Sequence, residues 1–178
     1  MRQIILLRGI NLGSRNRIAM PELRELLTRA GLDDVRTYLQ SGNVVVSSDA
    51  APEQLARECE RQIASGLGLD VDVIVRTRDE LADVVRRNPL GRVAVNPKRY
   101  QVSFLAAELD PEALRELAAL AVPPERFVAI GRELYAWHPE GIGRSRLWTR
   151  LAGRGFGVTA TARNWTTVTK LLAIADER

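Results

Sequence analysis

Val35-Arg36-Thr37-Tyr38-Leu39-Gln40-Ser41-Gly42-Asn43-Val44-Val45-Val46 is the stretch that decides the fold. Val35–Gln40 alternates as a half-buried strand, and Ser41-Gly42 supplies a turn. The segment Asn43–Ser48 follows, and its three consecutive valines are the pattern of a strand covered on both faces. Helical periodicity brackets this hairpin. Upstream, Pro21 opens a helix where a missing N–H costs nothing. Leu23, Leu26, Leu27 and Ala30 share one face of it, and Gly31 ends it. Downstream, Pro52 opens a second helix with Leu55, Cys59, Ile63 and Leu67 on one stripe. Ile4–Arg8 and Val71–Val75 read as the first and last strands. The order over residues 3–76 is βαββαβ, the ferredoxin-like arrangement. That topology centres the first and third strands, the two with near-continuous apolar runs.

Asp79–Arg87 reads as a linking helix ended before Pro89, and Leu90–Pro97 as loop. Tyr100–Leu105 reads as a strand and Pro111–Leu120 as a helix. Arg126–Ile130 and Glu133–Trp137 read as a hairpin across Gly131-Arg132. Ser145–Leu151 reads as a short helix, Val158–Thr161 as a further strand, and Trp165–Ala175 as the closing helix. The expected fold class is α+β. A ferredoxin-like subdomain over 1–77 is expected to pack as one unit with a second α+β subdomain over 78–178. A degenerate echo of the first half is one reading of the second, although no residue-level repeat is apparent.

The 178 residues are 46% hydrophobic and 27% charged, the balance of a soluble globular protein. No apolar run approaches the ~20 residues needed to span a bilayer, so no membrane partner is expected. The N-terminus is too short in apolar residues for a signal peptide. One cysteine rules out an intrachain disulfide framework. These features point to the cytoplasm. The net charge of +4 is unevenly spread: residues 1–89 balance, and the whole excess lies in 90–178. Between Gly141 and Ala175 stand five arginines and one lysine with no acid, a local field that attracts anions.

Five blocks carry a family resemblance. They are Leu6-Leu7-Arg8-Gly9-Ile10-Asn11-Leu12-Gly13, Met20-Pro21-Glu22-Leu23, Gln40-Ser41-Gly42-Asn43, Gly141-Ile142-Gly143-Arg144-Ser145 and Thr161-Ala162-Arg163-Asn164-Trp165-Thr166-Thr167-Val168-Thr169-Lys170. Together they resemble the bacterial domain-of-unknown-function 1697 family over essentially the whole chain. The resemblance implies a two-part α+β fold with a ferredoxin-like N-terminal subdomain. It implies no reaction.

Candidate binding residues follow from residue type and position, each with a plainer alternative. Arg8, at the end of the first strand, is either an anion clamp with Asn11 as a further donor or a structural salt bridge beneath the loop. Gln40, Ser41 and Asn43 accompany them at the hairpin turn. Arg36, Tyr38 and Gln40 alternate on one strand face; they either meet a base, as on RNA-binding sheets, or their face packs on the C-terminal half. Ser145 is a candidate N-cap beside Arg144, on an anion site or on an ordinary capped helix. Asn164 is a candidate N-cap beside Arg163. Arg146, Arg150 and Arg154 form one basic stripe if their helix runs that far, a candidate nucleic-acid contact.

Familiar enzyme chemistry finds little purchase. The only histidine is His138, so any His-dependent triad or dyad rests on it. Cys59 shares a core stripe, and no His or Cys spacing suits zinc. No metal and no cofactor are expected. The leading expectation is an anionic ligand held at the seam of the two halves: a nucleotide, a nucleic acid or a phosphorylated metabolite. The alternatives are a metal-independent enzyme acting on a small phosphorylated or acyl substrate, and a protein-interaction module.

Overall fold

The computed structural model describes residues 1–153 and 157–178. The protein is α+β, with two four-stranded antiparallel sheets and six α-helices among these residues. The chain divides into two compact units. The first comprises Met1–Asp83 with Lys170–Arg178, and the second Val84–Thr169.

The first unit runs β1 (Arg2–Leu7), α1 (Met20–Arg29), β2 (Asp33–Tyr38), β3 (Asn43–Ser47), α2 (Pro52–Leu67) and β4 (Val73–Thr77). Its sheet order is β2-β3-β1-β4, the ferredoxin-like order, with β1 and β3 in the middle. Proline stands at the first turn of both helices, and Gly68 closes α2 in the left-handed conformation. One sheet face, with Ile5, Leu7, Val44, Val46, Val73 and Val75, packs in one core with Leu23, Leu27, Leu55, Cys59 and Ile63 of the helices. Cross-strand register puts Arg36, Val45, Ile4 and Arg76 in one row of the opposite face. Tyr38, Asn43, Leu6 and Ile74 form the next row. Val45, Ile4, Asn43, Leu6, Ile74 and Arg76 are all buried.

The second unit contains β5 (Tyr100–Leu105), α4 (Pro111–Leu120), β6 (Arg126–Ile130), β7 (Glu133–Trp137), α5 (Arg146–Ala152) and β8 (Ala160–Asn164). Its sheet order, β6-β7-β5-β8, repeats that of the first unit. The second half is therefore a complete βαββαβ unit of its own, with its last strand at Ala160–Asn164 where the sequence reading has Val158–Thr161. Leu105, Leu134, Ala136 and Ala160 form its core with Leu117, Leu147 and Leu151. Asp110 caps α4, its Oδ1 accepting from the Ala113 N–H at 2.8 Å. Removing that acceptor leaves an orphan donor in the first turn, so Asp110→Ala is expected to cost about 1 kcal/mol in urea unfolding. A cost indistinguishable from zero would mean that water replaces the cap.

The duplication extends to single positions. Arg76 pairs with Ile4 on β4, and Arg163 pairs with Val102 on β8. Each is the fourth residue of its strand, each is buried, and each is followed by a cap and a helix. In α3 (Arg78–Arg87) the Glu80 N–H donates to Thr77 Oγ1. In α6 (Trp165–Asp176) the Thr167 N–H donates to Asn164 Oδ1. The sequence reading stops short of both arginines, at Val75 and at Thr161. Each is instead an internal residue on the face away from the helices.

α5 carries Arg146 and Arg150 of the expected stripe and ends at Ala152, with Gly153 as its C-cap. Arg154 lies outside the described residues. In α6, Thr169 Oγ1 donates to the carbonyls of Trp165 and Thr166 at 3.0 and 3.1 Å. Such back-bonding satisfies a hydroxyl that would otherwise compete with the helix. Trp165 stacks on Tyr100, with ring centroids 4.8 Å apart.

Candidate functional site

In the first unit, the polar residues singled out by sequence come together as a brace. Asn11 adopts a left-handed backbone, with φ near 53°. Its Nδ2 donates to the carbonyls of Ile18 at 2.9 Å and Gln40 at 2.6 Å, and its Oδ1 accepts from the Ile18 N–H. Asn43 is fully buried and donates to the Tyr38 carbonyl and to Ser41 Oγ. Gln40 and Ser41 are exposed at the turn. Arg8 lies 3.9 Å from Asp72, and its N–H donates to the Asp72 carbonyl. The two blocks Leu6–Gly13 and Gln40–Asn43 thus meet at one end of the first sheet, where the side chains of Asn11 and Asn43 hold the loops. Arg36 is likewise engaged, by Asp34 and by Glu177 Oε2 at 2.9 Å.

In the second unit, Arg163 is buried and donates to Thr161 Oγ1 at 2.7 Å and the Ala162 carbonyl at 2.8 Å. Burial disfavours its charged form and lowers its pKa to about 10. Asn164 caps α6. Both positions are structural in their visible bonds. Arg150 is half-buried.

Arg144, Ser145 and Arg146 stand elsewhere, on a cleft of about 590 Å³. One side of the cleft is the α4–β6 connection, with Val122, Pro123, Pro124 and Glu125. The other is the β7–α5 connection, with Pro139, Glu140, Gly141, Gly143, Arg144 and Ser145, followed by Arg146. Arg144 and Arg146 are exposed, and neither has an ion-pair partner among the described residues.

A buried polar cluster joins the two connections at the cleft floor. Glu125 Oε2 accepts from Ser145 Oγ at 2.6 Å and lies 2.6 Å from His138 Nδ1. With the carboxylate ionised, Nδ1 carries the proton. Ser145 Oγ also caps α5, accepting from the Trp148 N–H at 3.0 Å. Burial by itself would push the Glu125 carboxyl up. Hydrogen bonds from Ser145, His138 and the Val122 N–H outweigh it, and the group titrates below the ordinary glutamate value.

This Ser, His and Glu do not form a catalytic triad. A triad uses opposite ring nitrogens for the acid and the hydroxyl. Here both partners sit at Nδ1, with Ser145 Oγ 3.2 Å away, while Nε2 is buried without a hydrogen-bond partner among the described residues. A carboxyl held below its ordinary pKa is also a weakened base. Cys59 offers no nucleophile, since burial pushes its thiol up to about 12. Among the described residues, no group of three or more His, Cys, Asp or Glu side chains is placed to hold a metal ion. No helix there is long and apolar enough to cross a membrane.

Glu125 and His138 are the site residues that the sequence reading did not join. The hairpin register could have joined them: Arg126 pairs with Trp137, so the next residues outward are Glu125 and His138.

The fold is similar to that of a conserved bacterial protein, SP0830, from Streptococcus pneumoniae. The match has a TM-score of 0.78 at 23% identity and covers 98% of each chain. No curated protein matches the chain. The family model described as "Protein of unknown function (DUF1697)" matches residues 1–135, and the chain belongs to that family.

Proposed function

We propose that the protein binds a small anionic ligand in the cleft of its second unit, with Arg144 and Arg146 as the anion contacts. The observation that carries this reading is two exposed arginines, without ion-pair partners among the described residues, on one concave surface. Arginines that stabilise a fold through charge commonly have a carboxylate nearby, as Arg36 has Asp34 and Glu177. Arg144 and Arg146 keep their donors for something else, and guanidinium groups suit phosphate and carboxylate oxygens. The cleft volume falls within the usual range for small-molecule sites, roughly 300–1,000 Å³. Glu125 is held in place by accepting from Ser145, His138 and Val122, so its lone pairs do not compete for the arginine donors. Glu140 is the remaining carboxylate on the cleft.

Calorimetric titration with inorganic phosphate and pyrophosphate tests the reading. Binding is expected to weaken at least tenfold in Arg144→Ala and in Arg146→Ala, with urea midpoints unchanged, because both side chains are exposed. Binding that neither substitution alters would refute this site.

A further inference from the structure

We infer that the anion site takes a nucleoside monophosphate, with its base against the Val122-Pro123-Pro124 side of the cleft. The inference rests on the anion reading above and adds two observations about the same cleft.

The first is its asymmetry. On the α4–β6 side, before Glu125, three apolar residues stand open: Val122 is 58% exposed, with Pro123 and Pro124 exposed beside it. Apolar side chains held open on a concave surface suit a flat apolar ring. The β7–α5 side carries the arginines and two glycines. A Cβ built at Gly143 meets no atom within 4 Å, so this side is open space rather than packed interior. A ligand fitting both sides has a ring at one end and an anion at the other. A free phosphorylated sugar leaves the apolar side unused.

The second is charge. Arg144 and Arg146 share the cleft with two carboxylates, Glu125 and Glu140, so it offers two guanidinium donors but no net positive surplus. That donor set suits one phosphate group. A triphosphate would bring three anionic groups toward Glu140 as well as toward the arginines, and the extra charge meets repulsion rather than new donors.

Gly143 supplies a direct test. Its backbone is not in the left-handed region, and its surroundings are empty. Gly143→Leu is therefore expected to fold normally and to fill the cleft. The experiment is calorimetric titration of the full chain with adenosine 5′-monophosphate, ribose 5-phosphate, adenosine, inorganic phosphate and adenosine triphosphate. The monophosphate is expected to bind at least tenfold more tightly than ribose 5-phosphate and no less tightly than the triphosphate. Gly143→Leu should abolish its binding, and Val122→Asp should remove its advantage over ribose 5-phosphate. Equal binding of the two monophosphates, both lost in Arg144→Ala, would overturn the base contact and leave the anion site standing. A preference for triphosphate would overturn the monophosphate assignment alone. No binding by any phosphate would overturn both the inference and the anion reading beneath it.

Discussion

Gly42→Ala lowers the stability of the protein by about 2–5 kcal/mol, the sum of a backbone cost and a packing cost. Gly42 sits at φ near 84°, where an L side chain is strained. The added Cβ would also stand 2.7 Å from Leu7 Cβ and 2.8 Å from Ile10 Cδ1. Leu7 is fully buried in β1 and Ile10 is 3% exposed, so neither is a flexible surface end that swings aside. The Gly42 carbonyl accepts from the Leu7 N–H at 2.9 Å, which holds the turn against the strand and limits relaxation. Gly68→Ala is the control. Gly68 has φ near 66°, and a Cβ there meets nothing within 4 Å. It should therefore cost only the conformational part, about 1–2 kcal/mol. Urea unfolding of the two variants separates the terms, and equal losses would show that the clash at Gly42 is relieved by small shifts. For a domain stable by about 5–15 kcal/mol, the larger loss is a substantial fraction of the whole.

The same turn shows why much of the first unit was legible in the sequence. Pro21 and Pro52 mark helix starts through local backbone physics alone, and the valine run of β3 marks a central strand through burial alone. Neither inference needs knowledge of distant residues. In the second half, Tyr100–Leu105, Pro111–Leu120 and the hairpin around Gly131-Arg132 are read with the bounds they have in the structure, for the same reasons. What escapes is whatever depends on a partner remote in sequence. Arg76 and Arg163 lie inside strands because their guanidinium groups are accommodated in buried surroundings, and no local pattern announces that. The repeat of the βαββαβ order is offered by the sequence only as one reading, without a residue-level match, and it is present in the fold. It is preserved in strand order and in the placing of two arginines and two caps, while the surrounding residues differ.

The candidate sites divide along the same line. Arg8, Asn11, Gln40, Ser41 and Asn43 were chosen as polar residues beside apolar runs, and residue type alone does not separate a donor aimed at a ligand from one aimed at a carbonyl. Asn11 is decided by its left-handed backbone and its three hydrogen bonds within the loops. Arg144 and Arg146 look no different in sequence from Arg36. They differ in having no ion-pair partner among the described residues, which is a property of the folded chain.

The cluster beneath the cleft carries the second large expected effect, because Glu125 ties two connections and a helix cap through one carboxylate. Glu125→Ala removes the acceptor for Ser145 and His138 together and strands two buried donors, at an expected cost of about 2–4 kcal/mol at neutral pH. Glu125→Gln keeps an acceptor and loses the charge, so it should cost less. The pH dependence follows from the direction of the Glu125 shift. Its folded pKa lies below the unfolded value, about 4.3. The carboxylate therefore contributes its full stabilisation above about pH 5, and loses it progressively as pH falls through the folded value. The gap between the wild type and Glu125→Ala should narrow on that acid limb. Asp34, Asp49, Glu58 and Asp176 are also held low, by Arg36, the N-terminal amine, Gln62 and Arg78 respectively. They are common to both proteins and cancel in the comparison. Urea midpoints measured for the pair from pH 7 to pH 3 decide the matter. A gap that stays constant would mean that shape, not charge, is what Glu125 supplies. A narrowing gap would make the carboxylate the element that fixes Ser145, and with Ser145 the start of α5 beside Arg144 and Arg146. In that case Glu125→Gln should also weaken phosphate binding in the cleft, by about twofold to tenfold, although Glu125 carries the wrong charge to hold an anion itself.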